Sequence, residues 1–173
     1  MIILITGASH TGKTLLAQRM LEKHLLPCLS IDHLKMGLIR SGNTALTPED
    51  DGELTAYLWP IVREIIKTAI ENGQNLIIEG CYVPFDWRKD LGEEYAASVR
   101  FLCLAMTERF IDAHFADIRE HACDIEARLD DSYCTAELLK RDKLEYAKGF
   151  TEAGEAVTLI DGDYESAMDE LLR

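Results

Sequence analysis

The chain has 173 residues, of which 47% are hydrophobic and 28% are charged, and its formal net charge at pH 7 is −13. This length and balance are typical of one soluble domain with a full core, spanning residues 1–173. The negative charge argues against nucleic acid and anionic membranes as partners, because both are themselves negatively charged. No stretch reaches the apolar length of a membrane span.

Five cysteines are scattered along the chain without a Cys-x-x-Cys pair. An odd, dispersed set indicates reduced thiols rather than a disulfide framework or a zinc site. The N-terminus also lacks the basic region and the cleavage site of a signal peptide. We therefore expect a cytoplasmic protein, either a monomer or a homodimer.

The first predicted strand, Ile2–Ile5, leads into a glycine-rich segment that matches G-x-x-x-x-G-K-T. The glycines allow a tight turn, and backbone N–H groups of the turn and the following helix form a nest for phosphate oxygens. Lys13 is expected to reach the β- and γ-phosphates, and the Thr14 hydroxyl is expected to coordinate Mg²⁺. The residues predicted to contact the nucleotide are Gly7, Ala8, Ser9, His10, Thr11, Gly12, Lys13, Thr14 and Leu15. A strand, this turn and a helix in succession predict a phosphate-binding P-loop.

Short apolar runs alternate with helical segments along the rest of the chain. The predicted strands are Ile2–Ile5, Cys28–Ile31, Asn75–Glu79, Val99–Leu104 and Val157–Ile160. The predicted helices are Gly12–Leu25, His33–Arg40, Pro48–Asn72, Thr107–Cys123, Thr135–Lys148 and Tyr164–Leu172. Because the strands show little polar alternation, we expect them to be covered on both faces. The pattern predicts a three-layer α/β domain with a parallel sheet and right-handed crossovers.

Ligands of open parallel α/β sheets bind beyond the carboxyl ends of the strands, so the residues after each strand are candidates. Asp32 follows the second strand and is placed to accept a proton from a substrate hydroxyl, or simply to cap the helix starting at His33. Arg40 ends that helix, where it suits either a substrate anion or the helix dipole. We assign Asp32 and Arg40 to substrate binding.

An acidic residue, Glu79, ends the third predicted strand. In nucleotide sites, a carboxylate at this place holds Mg²⁺, usually through water. The next residue, Gly80, leaves room for the backbone beside the phosphates and is also assigned to the substrate site.

Residues 117–131 form a polar stretch of the kind expected for a short helical lid. Arg119 and Arg128 lie in it, and arginines that close over a transferring phosphoryl group neutralise its charge. The alternative is that both are solvated helix arginines. The predicted catalytic residues are Lys13, Asp32, Arg119 and Arg128. After the fifth strand, Asp161–Tyr164 either lies near the nucleotide base or only caps the last helix.

These motifs resemble those of the small P-loop kinases of nucleoside monophosphates and small metabolites, over essentially the whole chain. Ile77-Ile78-Glu79-Gly80, with Pro84 following, is similar to the third strand of adenylate-kinase-like enzymes. It is closer still to the E-G-x-x-x-P stretch of 2-phosphoglycerate-kinase-like and zeta-toxin-like kinases. Arg128-Leu129-Asp130-Asp131 resembles the end of the adenylate kinase lid, and Ser30-Ile31-Asp32 resembles the strand-two carboxylate of metabolite kinases.

The resemblance implies a five-stranded sheet in the order 2-3-1-4-5, binding of ATP and Mg²⁺, and transfer of the γ-phosphate to a small metabolite or nucleotide. Two departures argue against a nucleoside monophosphate acceptor. The acid-glycine pair is not followed by Phe-Pro-Arg, and the second strand does not end in Thr-Gly-Asp. Two alternatives stay open: a nucleotide-dependent switch or ATPase, and a toxin-like kinase of a nucleotide-sugar.

Overall fold

Five strands form one parallel sheet in the computed structural model, which describes residues 1–125 and 134–173. The strands are β1 (Ile2–Gly7), β2 (Cys28–Ser30), β3 (Leu76–Glu79), β4 (Val99–Met106) and β5 (Val157–Ile160). Their order is β2-β3-β1-β4-β5, and each neighbouring pair is parallel. The predicted α/β class and the predicted strand order are confirmed.

Helices pack against both faces of this sheet. They are α1 (Lys13–His24), α2 (Ile31–Arg40), α3 (Asp51–Glu71), α4 (Trp87–Leu91), α5 (Glu93–Ala96), α6 (Glu108–Glu120), α7 (Ala136–Glu152) and α8 (Tyr164–Leu171), with a 3-10 turn at His121–Cys123 after α6. The six predicted helices are present with shifted ends. Helices α4 and α5 were not predicted, because segments this short show no helical periodicity. Among the described residues, no helix combines the length and the apolar character needed to cross a membrane.

The junction between β2 and α2 differs from the prediction. Ile31, which is fully buried, starts α2 rather than ending β2, so Asp32 lies in the first helical turn. Ser30 is the N-cap residue, and the Asp32 carboxylate accepts a hydrogen bond from Lys35. The interpretation of Asp32 as the cap of a helix starting at His33 is therefore wrong.

The core has two layers because successive side chains of a strand point to opposite faces of the sheet. Ile2 and Leu4 pack in the layer formed by helices α2 to α5, and Phe150 of α7 joins them there. Ile3 and Ile5 pack in the opposite layer, against α1, α6 and α8. The P-loop follows β1 directly, so this central strand holds the loop between the two layers.

Two helical glycines give a matched test of packing. A Cβ added to Gly149 in α7 would lie 2.5 Å from the Phe85 ring, which also contacts Phe150 edge-on, with ring centroids 4.9 Å apart. A Cβ added to Gly37 in α2 would meet no atom within 4 Å. We expect Gly149→Ala to lower the free energy of unfolding by about 1–3 kcal/mol through overpacking. Gly37→Ala should instead raise it by about 0.5–1 kcal/mol.

Urea unfolding of the two variants checks this expectation. Adding Phe85→Leu to Gly149→Ala should recover part of the loss, because the smaller side chain makes room for the new methyl group. A Gly149→Ala variant as stable as Gly37→Ala would contradict the packing described for α7.

Candidate active site

Hydrogen bonds to β4 and within the loop shape the segment between β1 and α1. The Ala8 N–H donates to the Leu104 carbonyl at 3.0 Å, and the Thr11 hydroxyl donates to the Ala8 carbonyl at 2.9 Å. A Cβ on Gly7 would lie 2.0 Å from the Leu104 carbonyl oxygen. Only glycine therefore allows β1 to turn into the loop this close to β4.

The lysine of the motif lies over this loop. The Lys13 Nζ donates to the Ala8 carbonyl at 2.7 Å, and the residue is only 8% exposed. His10 has a φ of 61°, in the left-handed region, and its Nδ1 is 2.8 Å from the Ser9 hydroxyl oxygen. A left-handed conformation costs a residue with a side chain about 1–2 kcal/mol and is characteristic of functional loops.

The two predicted magnesium ligands lie together. The Thr14 hydroxyl donates to Glu79 Oε2 at 3.2 Å, and Glu79 is 2% exposed at the carboxyl end of β3. Strand β3 pairs with β1, which places Glu79 opposite Ile5, just before the loop. Hydroxyl and carboxylate oxygens are the ligand type that Mg²⁺ prefers. These residues fit a Mg²⁺ ion bound together with nucleotide phosphates.

A cavity of about 570 Å³ opens over the P-loop, a volume that suits a ligand of nucleotide size. Its lining joins the loop to the ends of β2 and β3. The predicted site residues that line it are Ser9, His10, Gly12, Lys13, Thr14, Leu15, Asp32 and Glu79. Of the predicted site residues other than the arginines, those that do not line the cavity are Gly7, Ala8, Thr11 and Gly80. Gly80 is buried.

Neither of the predicted arginines in the described part of the chain, Arg40 and Arg119, lines this cavity. Arg40 is exposed at the end of α2, eight residues from Asp32 and so about 12 Å along the helix axis. Arg119 is exposed on α6, although its neighbour Ile118 lines the cavity. Arg128 and the rest of the predicted lid beyond residue 125 lie outside the described residues.

Helix α6 forms one wall of the cavity, which was not predicted from the sequence. Phe110, His114 and Ile118 line the cavity from one face of this helix, which bends at His114, where φ is −122° and ψ is 17°. Their spacing of four residues was the available signal, since such residues share a helix face. The polar character of the surrounding segment concealed it.

A hydrogen-bonded network behind Asp32 was also missed. The Lys35 Nζ donates to Asp32 Oδ1 at 2.7 Å and to the Tyr82 hydroxyl at 2.8 Å, and the Tyr82 hydroxyl donates to Asp51 Oδ1 at 3.1 Å. Burial is the main cause that raises the pKa of Tyr82, so its phenol stays protonated and able to donate. The network connects α2, α3 and the loop after β3, and it holds the Asp32 carboxylate at the cavity.

The turn after β5 forms the opposite end of the cavity. Gly162, Asp163, Tyr164 and Glu165 line it, and Glu165 forms a bidentate ion pair with Arg19 of α1, at 2.7 and 3.0 Å. Asp163 also caps α8, because its carboxylate accepts a hydrogen bond from the Glu165 N–H. The two interpretations offered for this turn are therefore compatible.

Solved structures with the same architecture include several small kinases. A gluconokinase from Sinorhizobium meliloti 1021 matches over 98% of this chain and 88% of its own, with a TM-score of 0.53 and 16% identity. A sugar kinase from Janibacter sp. HTCC2649 matches over 99% and 91%, with a TM-score of 0.60 and 18% identity. A shikimate kinase from Bacteroides thetaiotaomicron matches over 98% and 95%, with a TM-score of 0.56 and 17% identity.

This chain has the fold of the small P-loop kinases. At these identities the likeness shows the fold alone. No protein-family model matches the sequence, and no curated protein sequence matches it significantly.

Within this P-loop kinase fold, Gly12 is a second loop position with no room for a side chain. Its φ is 81°, and an added Cβ would lie 1.8 Å from the Tyr164 hydroxyl oxygen. Gly154 has a similar φ of 85° but open space around it. Gly154→Ala should therefore cost only the strain of the left-handed conformation, about 1–2 kcal/mol of stability, and leave nucleotide affinity unchanged.

Gly12→Ala should show that same strain and also displace Tyr164 and the loop, so we expect nucleotide affinity to fall by more than about tenfold. Isothermal titration with Mg–ADP measures the difference between the two variants. Equal nucleotide affinity in the two variants would contradict the placement of Gly12 beside the bound phosphates.

Proposed function

We propose that the protein is an ATP-dependent phosphotransferase that moves the γ-phosphate of Mg–ATP to a small-molecule acceptor. The observation that carries this proposal is the position of Asp32, whose carboxylate lines the same cavity as Lys13 and the Thr14–Glu79 pair. A nucleotide switch requires only the phosphate loop and the metal ligands, and no further acid beside them. An acid held beside them, on the β2 side, suits the binding and deprotonation of a second substrate.

The nucleotide is bound by the loop and the start of α1. Backbone N–H groups of the loop, other than that of Ala8, which donates to Leu104, hold the β- and γ-phosphates together with the Lys13 ammonium. Thr14 would hold Mg²⁺ directly and Glu79 would hold it through water. The ion would neutralise charge on the phosphate oxygens as it builds up during transfer. ATP and Mg²⁺ are therefore the substrate and the metal that this site is proposed to use.

In the transfer, the acceptor oxygen forms a bond to the γ-phosphorus while the bond from that phosphorus to the β–γ bridging oxygen breaks. The acceptor's proton passes to the Asp32 carboxylate, and ADP leaves. Lys35 holds that carboxylate from behind. We propose that Arg119 and Arg128 neutralise the transferring group when residues 117–131 close, and that Gly80 and Arg40 belong to the substrate side.

The structural neighbours support this proposal, because the proteins so named are kinases of gluconate, a sugar and shikimate. They share the fold over nearly the full chain. The substrates in those names belong to the neighbours themselves.

Release of ADP from Mg–ATP tests the proposal, measured across nucleoside monophosphates, phosphorylated glycerates, sugars and UDP-sugars. We expect ADP release that depends on one acceptor class and disappears in Lys13→Ala. The control is Lys23→Ala, a change in the last turn of the same helix, which should keep ADP release. Release that ignores every acceptor would contradict a phosphotransferase and point to an ATPase or switch. Preference for a UDP-sugar would point to the toxin-like alternative.

A further inference from the structure

The hydroxyl of Tyr164 has no hydrogen-bond partner among the described residues. Four of the five tyrosines in the described part of the chain donate a hydrogen bond from their hydroxyl, and these four are Tyr57, Tyr82, Tyr95 and Tyr146. Tyr164 is the exception, although its ring is partly buried against the core layer that contains Ile3 and Ile5. Polar groups in such surroundings normally have a partner, so this donor is free to bind a ligand.

The same hydroxyl lies over the P-loop. Tyr164 lines the cavity together with Gly12 and Lys13, and a Cβ added to Gly12 would lie 1.8 Å from the Tyr164 hydroxyl oxygen. This oxygen is therefore in contact with the Gly12 backbone, at the residue that precedes the first turn of α1. The first N–H groups of a helix have no partner within the helix and favour an anion. A phosphate held by these N–H groups would lie beside the Tyr164 hydroxyl.

The residues after and before Tyr164 are held in place. The Asp163 carboxylate accepts hydrogen bonds from the Glu165 N–H and the Ser166 hydroxyl, at 3.2 and 2.6 Å. The ion pair of Glu165 with Arg19 joins the start of α8 to α1. Burial is the main cause that raises the pKa of Tyr164, whereas Arg19 acts in the opposite direction. The phenol therefore keeps its proton at neutral pH and can donate it to a hydrogen bond.

The sheet order indicates which phosphate meets this donor. Strand β1 is central, with β3 and β2 on one side of it and β4 and β5 on the other. This step rests on the proposed function, in which the γ-phosphate faces Asp32 at the start of α2, next to β2. The α-phosphate and the nucleoside then extend toward the turn after β5, where Tyr164 lies. The α-phosphate is therefore the phosphate nearest to the Tyr164 hydroxyl.

We infer that Tyr164 is a nucleotide-binding residue whose hydroxyl donates a hydrogen bond to a non-bridging oxygen of the α-phosphate. The α-phosphate stays on the nucleotide throughout, and none of its bonds forms or breaks in the transfer. The contact is therefore equally strong before and during the transfer step. It contributes to nucleotide affinity and leaves the barrier to transfer unchanged.

Isothermal titration with Mg–ADP tests the inference. Tyr164→Phe removes only the hydroxyl and should raise the Kd for Mg–ADP by about tenfold or more, because hydrogen bonds to charged acceptors are the stronger ones. The matched control is Tyr95→Phe, which removes a hydroxyl that donates to Glu71 at an exposed site. This control should keep the wild-type Kd. In transfer assays of Tyr164→Phe, the KM for Mg–ATP should rise while kcat changes little.

Sulfur substitution at the α-phosphate locates the contact. In ADPαS, sulfur replaces one non-bridging oxygen of the α-phosphate, and sulfur accepts a hydrogen bond only weakly. The two diastereomers are titrated separately against the wild-type protein and Tyr164→Phe. One diastereomer should bind the wild-type protein about tenfold more weakly than ADP does. The same diastereomer should lose little affinity relative to ADP in Tyr164→Phe, because that variant already lacks the hydrogen bond.

Three outcomes would count against the inference. A wild-type Kd for Mg–ADP in Tyr164→Phe would overturn it and leave the phosphotransferase proposal standing. Equal losses from sulfur substitution in the wild-type protein and the variant would mean that the hydroxyl does not bind the α-phosphate, which also overturns the inference alone. No binding of Mg–ADP to the wild-type protein would contradict both the inference and the proposed function.

Discussion

Replacing Lys13 with alanine is expected to lower phosphoryl transfer by about 10³-fold, the largest effect of any single substitution in the site. The Lys13 ammonium donates to the Ala8 carbonyl at 2.7 Å, within the loop that is proposed to bind the phosphates. Without it, the site loses one of the positive charges that stabilise the charge developing on the β- and γ-phosphate oxygens. The kcat/KM for Mg–ATP should fall, and the Kd for Mg–ADP should rise.

The matched control for this change is Lys23→Ala, which removes the same charge from the last turn of α1. Both variants should keep the wild-type circular dichroism spectrum. Transfer by Lys13→Ala at more than a tenth of the wild-type rate would contradict the assignment of the phosphate site.

Replacing Asp32 with asparagine should lower kcat by about 10²-fold or more while the Kd for Mg–ATP changes little. Asparagine is nearly isosteric with aspartate and still accepts a hydrogen bond from Lys35, but it cannot take up the acceptor's proton. Its neutral side chain also leaves the Lys35 ammonium without its counter-charge. The loss should therefore fall on turnover and not on nucleotide binding.

Asp169→Asn, an exposed change on α8, is the control for removing one negative charge. Two results would count against the proposed role of Asp32. Unchanged kcat would show that no proton passes to it, and a collapse of ATP affinity would place it in the metal or nucleotide site.

Local sequence signals predicted the parts of the fold that depend on local structure. The apolar run of β1, the glycines and the lysine lie within 14 residues, so the P-loop and its ligand class could be inferred from the motif. The alternation of strands and helices predicted the three layers, and the family resemblance implied the strand order. The end of β2 was misplaced by one residue because burial of Ile31 in the helix layer is a tertiary effect.

The parts that were not predicted depend on contacts between distant residues. Lys35 and Tyr82 are 47 residues apart in sequence, and Tyr82 and Asp51 are 31 apart. No local pattern indicates that these side chains meet behind Asp32. The Tyr164 hydroxyl that closes over Gly12 comes from the other end of the chain and follows only from the packing of α8 on α1.

Tracing the γ-phosphate by ³¹P NMR tests the central claim most directly. The protein, Mg–ATP and the acceptor class that supports ADP release are followed together until the ATP is consumed. The proposed phosphotransferase predicts a new phosphate monoester signal that grows in equal amount with ADP and is absent with Lys13→Ala. Inorganic phosphate appearing in equal amount with ADP, with no new ester, would contradict phosphoryl transfer to a second substrate.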